Sequence, residues 1–379
     1  MPYEAAPLPA IDPERTFGLA ALYTTTPRTA DFDVLDLGCG TGSLMERIAT
    51  LTRGRVVGTD LSQFACTRAT GRGASFGSRY RVMCADFMDL DPTELGQFDL
   101  IYNIGVLYVT PPEVQKRILG LIAACLKPNG VAVISYYFGA HALQMAGLHE
   151  RLCLSVDAAA PPAVQVQQAK ACLRDIAKSL ARREADNKSM LSVLQQAFMR
   201  EDSVFFHEFL SQKSTAPSTS SLEIALGAGG VHFLDWMTPV PVGNLALPHE
   251  RAAMADAIDL GGGGYHYSVF SKSSASTAAS PRGANVRWHS RLVRGAGPNG
   301  QAVFRDENRG LTVTPNLVTE IALDILAEGP RDWNTLHAAV EKKLAAQNKV
   351  VKNATSVLEQ ELLTFWRYGA GSPIWSPQK

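Results

Sequence analysis

"VLDLGCGTGSL", residues Val34 to Leu44, is the stretch from which the rest of the chain is read. "VLDL" is a short apolar run interrupted by one acid, Asp36. It reads as a strand buried on both faces, because strands of a parallel sheet are covered by helices on each side. Three glycines follow at alternate positions, Gly38, Gly40 and Gly42. Glycine there frees the backbone to turn sharply and leaves main chain bare for a ligand.

The same rhythm continues outward to Phe138. "SLMERIATL" reads as a helix, "RVVGTD" as a second strand, "LSQFACTRAT" as a helix and "YRVMCAD" as a third strand. "FDLIYN" is a fourth strand, "PEVQKRILGLIAACLKPNG" a helix stopped by Pro-Asn-Gly, and "VAVISYY" a fifth strand. Strands alternating with helices imply crossovers and a parallel sheet. From about 140 to 210 strand signals fade, and Val166, Ala169, Leu173, Ile176 and Leu180 recur at helical spacing, so this is a helical insertion. "VHFLDWM" and "YHYSVFSK" read as two further strands of the sheet, with a helix near "PHERAAMADAI" between them. Residues 273–284 are rich in Ser and Ala and read as a linker. Residues 285–379 follow as a small winged-helix-like domain of three amphipathic helices with short strands such as "QAVFRDE" and "GLTVT". Residues 1–272, ahead of that linker, read as one domain.

Dinucleotide enzymes use G-x-G-x-x-G after the first strand, but position 43 here is Ser43. The spacing Gly38, Gly40, Gly42 with Asp36 just ahead suits a ligand carrying positive charge. S-adenosylmethionine carries a sulfonium and an ammonium, and no phosphate. The sequence places Asp36, Gly38, Cys39, Gly40 and Gly42 against its methionine portion. Asp60, at the end of the second strand, can accept from both ribose hydroxyls, with Leu61 beside it. Asp86 can accept from the adenine amino group while Phe87 covers a ring face. Asn103 and Gly105 lie under the methionine end. Polar residues at four successive strand ends, all on one edge of a sheet, form one crevice.

"VLDLGCGTG", "VVGTDLS", "CADF", "FDLIYNIGVLYV" and "LKPNGVAVISYY" resemble the successive motifs of class I S-adenosylmethionine-dependent methyltransferases. The resemblance implies an α/β, Rossmann-like sheet of seven strands, the last antiparallel. "PYEAAP…IDPER", "GVLYVTPPEVQKRIL" and "FFHEFL" extend it to methyltransferases with a regulatory domain, a group that includes bacterial protein-lysine methyltransferases. Where that group has His in the fourth-strand motif, this chain has Ile104; where it has Asn after the fifth strand, this chain has Tyr137.

Methyl transfer is an in-line displacement that asks for positioning and exclusion of water, with no metal. An amine acceptor must be neutral to attack, and aromatic faces favour its charged form nearby. Tyr108, Tyr136, Tyr137 and His141 are the candidates near the fourth and fifth strand ends, and the expected catalytic residues are Tyr108, Tyr137 and His141. Tyr136 and Tyr137 alternate, so they point to opposite faces. His141 reads as a loop residue and candidate general base. His207 and Glu208 either approach the acceptor pocket from the helical insertion or form a structural pair. H-E-x-x-H is not met, because position 211 is Ser211. Tyr3 lies in a segment that the resemblance implies could fold over the cofactor; the alternative is a disordered end.

Lys+Arg and Asp+Glu are both 36. That balance gives no general pull toward nucleic acid or an anionic membrane, and no apolar run is long enough to span one. The start reads as no secretory signal, and a cytoplasmic protein is expected. The six scattered cysteines read as reduced buried thiols. The expected activity is methylation of an amine on a protein or peptide. A small-molecule acceptor and a non-catalytic cofactor-binding protein are the alternatives. The chain is a candidate homodimer.

Overall fold

A computed structural model describes residues 11–24, 31–137, 139–182, 190–211 except 192 and 196, 217–237, 247–259, 265–273, 281–283, 286–306, 311–367 and 371–375. Seven strands form one sheet: β1 (Val34–Leu37), β2 (Val56–Asp60), β3 (Tyr80–Cys84), β4 (Phe98–Asn103), β5 (Leu126–Tyr137), β6 (His232–Trp236) and β7 (Tyr265–Ser271). Their order is β3-β2-β1-β4-β5-β7-β6. β1 lies parallel between β2 and β4, with Val34 opposite Val56 and Leu100. β7 runs antiparallel to both β5 and β6, as the two late strand signals and the resemblance imply.

The apolar run at 34–37 forms a strand because both its faces are covered. Val34, Leu35 and Leu37 are wholly buried. Val34 belongs to one apolar layer and Leu35 and Leu37 to the other. The crossover helices α2 (Ser43–Leu51), α3 (Gln63–Gly73), α4 (Pro92–Leu95) and α5 (Pro112–Cys125) follow their strands. α5 stops at Cys125, short of Pro128-Asn129-Gly130. That turn lies within β5 instead, with Asn129 at φ 63°.

Several helices escape the sequence reading, among them Pro92–Leu95, Thr219–Gly227 and one that precedes the sheet. α1 (Pro13–Tyr23) opens with proline in its first turn, where a missing N–H costs nothing. It buries Phe17 edge-on against Phe32 at 5.0 Å and Trp375 at 5.2 Å. The Tyr102 hydroxyl on β4 donates to the Ile11 carbonyl at 2.7 Å, tying the α1 entry to the sheet.

The insertion contains α6 (Gly139–Cys153) and α7 (Pro162–Ala181), a further helical stretch near 190–198, and a short helix Asp202–Phe205 that runs into a π-turn, Phe206–Leu210. These pieces share their own apolar core around Leu152, Val166, Leu173 and Phe205.

Beyond residue 285 there are three helices, Leu317–Ala327, Trp333–Ala346 and Ala354–Arg367, and two three-stranded sheets. One joins β8 (Val286–Ser290), β12 (Arg331–Asp332) and β13 (Gly371–Trp375); the other joins β9 (Val293–Ala296), β10 (Ala302–Asp306) and β11 (Leu311–Val313). Trp288, Leu362 and Trp375 lie in the same apolar cluster as Phe17 and Val34. The end of the chain therefore packs on α1. Of the expected linker, residues 274–280 and 284 lie outside the described residues.

Candidate functional site

The carboxyl ends of β1, β2, β3 and β4 open on a cleft of about 490 Å³. Its walls include Gly38, Gly40, Asp60, Leu61, Asp86, Phe87, Ile104, Gly105, Val106 and His207. Two of the expected carboxylates face it, and no Lys or Arg is among its described lining residues.

The Gly38 and Cys39 N–H groups both donate to the Thr59 carbonyl, at 2.8 and 3.0 Å. This folds the loop over the end of β2. Gly38 sits at φ 88°, and a Cβ there would lie 2.2 Å from Val106 Cγ2. Gly42, at φ 82°, is packed under Ala69, whose Cβ lies 2.8 Å from where a side chain would begin. Both glycines are thus required by the protein's own packing. Gly38 and Gly40 both line the cleft, and of the three only Gly40 could carry a Cβ with nothing within 4 Å. The expectation that all three keep a Cβ off the ligand is corrected accordingly, and Gly42 seats α2 on α3 instead.

Asp60 shows how the loop is held. Its Oδ2 accepts from the Gly40 N–H at 2.9 Å and its Oδ1 from the Ser62 N–H at 2.9 Å. Each oxygen keeps a lone pair for a hydroxyl. Asp86 Oδ1 accepts from the Met88 N–H at 2.9 Å. The Arg117 Nε donates to the Phe87 carbonyl at 3.2 Å, which fixes the 86–90 turn from α5.

Asp36 lies beneath this surface. Its side chain is 3% exposed, and among the described residues no hydrogen bond or ion pair reaches its carboxylate. Burial, reinforced by the Asp60 charge, pushes its acid from the ordinary 3.8 up to about 7. Burial keeps such an acid neutral until a positive charge comes beside it. Asn103 is also fully buried. Its Nδ2 donates to the Leu37 carbonyl at 2.9 Å, so it clamps β4 to β1, and its Oδ1 has no hydrogen-bond partner. Cys39 is buried as well, and burial holds its thiol well above its usual range.

Beside Gly105, behind the residues that line the cleft, three tyrosines pack together, and a Cβ on Gly105 would lie 3.8 Å from the Tyr265 hydroxyl. The rings of Tyr108 and Tyr137 meet edge-on at 4.7 Å, Tyr137 and Tyr265 at 4.9 Å, and Tyr108 and Tyr265 at 5.9 Å. The Gly105 N–H donates to Ser135 Oγ at 2.8 Å, and Ser135 Oγ lies 2.5 Å from the Tyr265 hydroxyl. The Tyr137 hydroxyl donates to Glu208 Oε2 at 3.4 Å. Burial first, then the Glu208 charge, keeps the Tyr137 phenol protonated. Burial does the same for Tyr265.

The structure brings Tyr108 and Tyr137 together beside the cleft. Tyr136 points the other way, into the core, within 2.8 Å of Thr219 Oγ1 and 2.7 Å of Ser268 Oγ. His141 is a correction: its backbone belongs to α6 and not to a loop. Its side chain, like all of Tyr3, lies outside the described residues. His207 and Glu208 do approach the site. The π-turn aims His207 at the cofactor cleft and Glu208 at Tyr137. Such turns insert an extra residue into a helical turn and often sit at functional sites. Tyr265 and Ser135 are missed by sequence reasoning. Alternation along "YHYSVF" puts Tyr265 and Tyr267 on one face, but only the long-range register, Tyr137 opposite Tyr265, reveals which.

Residues 34–130 match the methyltransferase domain family. An uncharacterized protein, RP028 of Rickettsia prowazekii, is 36% identical over 106 residues, 27% of this chain and 42% of that protein. A 24-methylenesterol C-methyltransferase 2 of Oryza sativa subsp. japonica is 33% identical over 102 residues, 26% of this chain and 27% of that protein. The chain spans less than half the length of these curated relatives. The solved structure of PKMT2 from Rickettsia typhi in complex with AdoHcy aligns with a TM-score of 0.77 at 18% identity, over 99% of this chain and 77% of that one. The chain thus shares the fold of that solved structure, and within it residues 34–130 are similar to the methyltransferase domain family.

Proposed function

We propose that this chain is an S-adenosylmethionine-dependent methyltransferase and that its acceptor is an amine nitrogen on a protein or peptide. The fit to the cofactor rests on the unpaired Asp36 carboxylate, the open face of Gly40 and the paired acids Asp60 and Asp86. Asp36 would neutralise positive charge at the methionine end, Asp60 would hold the ribose, and Asp86 and Phe87 the adenine. The cofactor supplies a methyl group activated by a sulfonium.

The observation that carries the amine reading is the wall of Tyr108, Tyr137 and Tyr265 with the Glu208 carboxylate behind it. A cationic acceptor brought beside this cluster would meet phenol rings held neutral, with water displaced. Glu208 Oε2 can take up, through the Tyr137 hydroxyl, the proton that an ammonium must shed before its nitrogen attacks. The test is incubation of the purified protein with methyl-labelled cofactor and a lysate. Label in a protein band, converted to methylated amine on hydrolysis, is the expected result. Label confined to low-mass extract would refute the macromolecular acceptor.

A second reading has its own observation. Ile104, Val106, Val109 and Val114 make one side of the cleft apolar, which suits a small apolar metabolite. The same experiment separates the two.

A further inference from the structure

Cys66 and Cys84 flank the peptide that holds the ribose end of the cleft. Cys66 sits in the first turn of α3, and its Sγ lies 3.4 Å from the Asp60 carbonyl and 3.9 Å from the Met83 carbonyl. Cys84 ends β3 in register with Asp60, and its Sγ lies 3.7 Å from the Leu61 carbonyl. The Met83 carbonyl belongs to the peptide bond that leads into Cys84, so the Cys66 sulfur reaches the Cys84 backbone. The expectation of uniformly buried thiols does not hold for this pair: Cys66 is buried, but Cys84 is exposed. An outer thiol open to solvent, an inner one against the peptide that precedes it, and a ligand-binding acid beside both are the parts of a redox-convertible site.

We propose that Cys66 and Cys84 are a dithiol that a hydroperoxide closes to a disulfide, and that closure weakens cofactor binding at Asp60 and Leu61. The chemistry is independent of the methyltransferase reading; only the effect on cofactor rests on it. The exposed Cys84 sulfur attacks a peroxide oxygen, the O–O bond breaks, and the sulfur becomes a sulfenic acid as water or an alcohol leaves. The Cys66 sulfur then attacks Cys84 Sγ, the S–S bond forms, the S–O bond breaks, and hydroxide leaves as water with the Cys66 proton. Two thiols and one hydroperoxide thus give one disulfide and water, with a second water or an alcohol. Burial first, then the neighbouring Cys84 thiol, pushes the Cys66 thiol up to about 12. The disulfide takes both S–H groups from the Asp60 and Leu61 carbonyls and draws α3 against β3, moving the peptide that carries the ribose acceptor.

The test treats the full chain with hydrogen peroxide and maps the thiols by peptide mass spectrometry. The expected product is a Cys66–Cys84 cross-link that has lost two hydrogens and is reversed by dithiothreitol. In Cys66→Ser, Cys84 should instead be trapped by dimedone as a sulfenic acid. Calorimetry with S-adenosylhomocysteine should show affinity falling on the order of ten-fold on closure, the scale of one or two lost hydrogen bonds. Thiols that stay free, or that oxidise without cross-linking, would overturn the site; unchanged affinity after complete cross-linking would overturn its effect. Reduced protein that binds no S-adenosylhomocysteine would sink the cofactor reading alone, since the cross-link is read without it.

Discussion

Replacing Asp36 with Asn should stabilise the ligand-free protein and weaken its hold on the cofactor, two effects of opposite sign from one oxygen-for-nitrogen exchange. Asp36 is 3% exposed and its carboxylate has no partner among the described residues. Burial raises its acid from 3.8 to about 7. At about 1.4 kcal/mol per unit, that comes to about 4 kcal/mol, an upper bound on what ionising Asp36 removes from stability. The folded pKa is raised, so the folded state holds a proton that the unfolded chain gives up. The stabilising share is fully present below pH 4 and is lost as pH rises from about 4 to 7, then stays flat. Asn has the same shape and cannot ionise. Urea denaturation across that range should therefore show wild type losing stability relative to Asp36→Asn by as much as about 4 kcal/mol, the difference curve bending near pH 7. A cationic ligand should reverse the balance. Cofactor binding at pH 6 should release a proton into the buffer, and Asp36→Asn should weaken binding by about 1.5–3 kcal/mol, the range for a charged hydrogen bond. A difference curve that is level with pH would refute the reasoning, because it would mean that Asp36 is already ionised and satisfied in the ligand-free fold.

Asp60→Ala strands the Gly40 and Ser62 N–H groups and removes the ribose acceptor, so calorimetry should show cofactor affinity lower by about 1.5–3 kcal/mol, with the far-UV spectrum unchanged. Glu208→Gln should lower the rate of transfer to an amine about ten- to a hundred-fold and move its pH profile, with cofactor affinity unchanged; equal rates would dismiss Glu208 as the proton acceptor. Trp375→Ala opens a hole against Phe17 and Phe32 and should lower stability by about 3–5 kcal/mol in a melt, although residue 375 is far from the cleft in sequence.

The sheet was legible because its central strands are buried on both faces. Runs such as "VLDL" and "FDLIYN" have no other comfortable conformation, and each is followed by a helix that covers it. The strand-end residues Asp36, Asp60 and Asp86 were legible for the same reason: a polar residue that ends an apolar strand needs a purpose. α1 was not legible, since its eleven residues are bounded by prolines and its apolar face answers to Trp375, far away in the chain. β8, β12 and β13 are short strands that pair only with each other across long separations, so no local period marks them. The glycine loop was read correctly for its backbone but incorrectly for its reason, because what lies against Gly38 and Gly42 is Val106 and Ala69.

The acceptor side illustrates why a site can be hidden while its parts are in view. Tyr108, Tyr137 and Glu208 could each be named from the sequence, yet nothing local joins them. Tyr265 enters through the antiparallel pairing of β7 with β5, and Glu208 through a π-turn some seventy residues from Tyr137. Both contacts depend on the insertion and the last two strands closing over the same edge of the sheet. The cofactor cleft lies at the ends of consecutive parallel strands, so its chemistry is written in sequence order. The proposed acceptor wall is built by elements that return to it late, so under that proposal a substitution in β7 or the insertion would change specificity without disturbing the glycine loop.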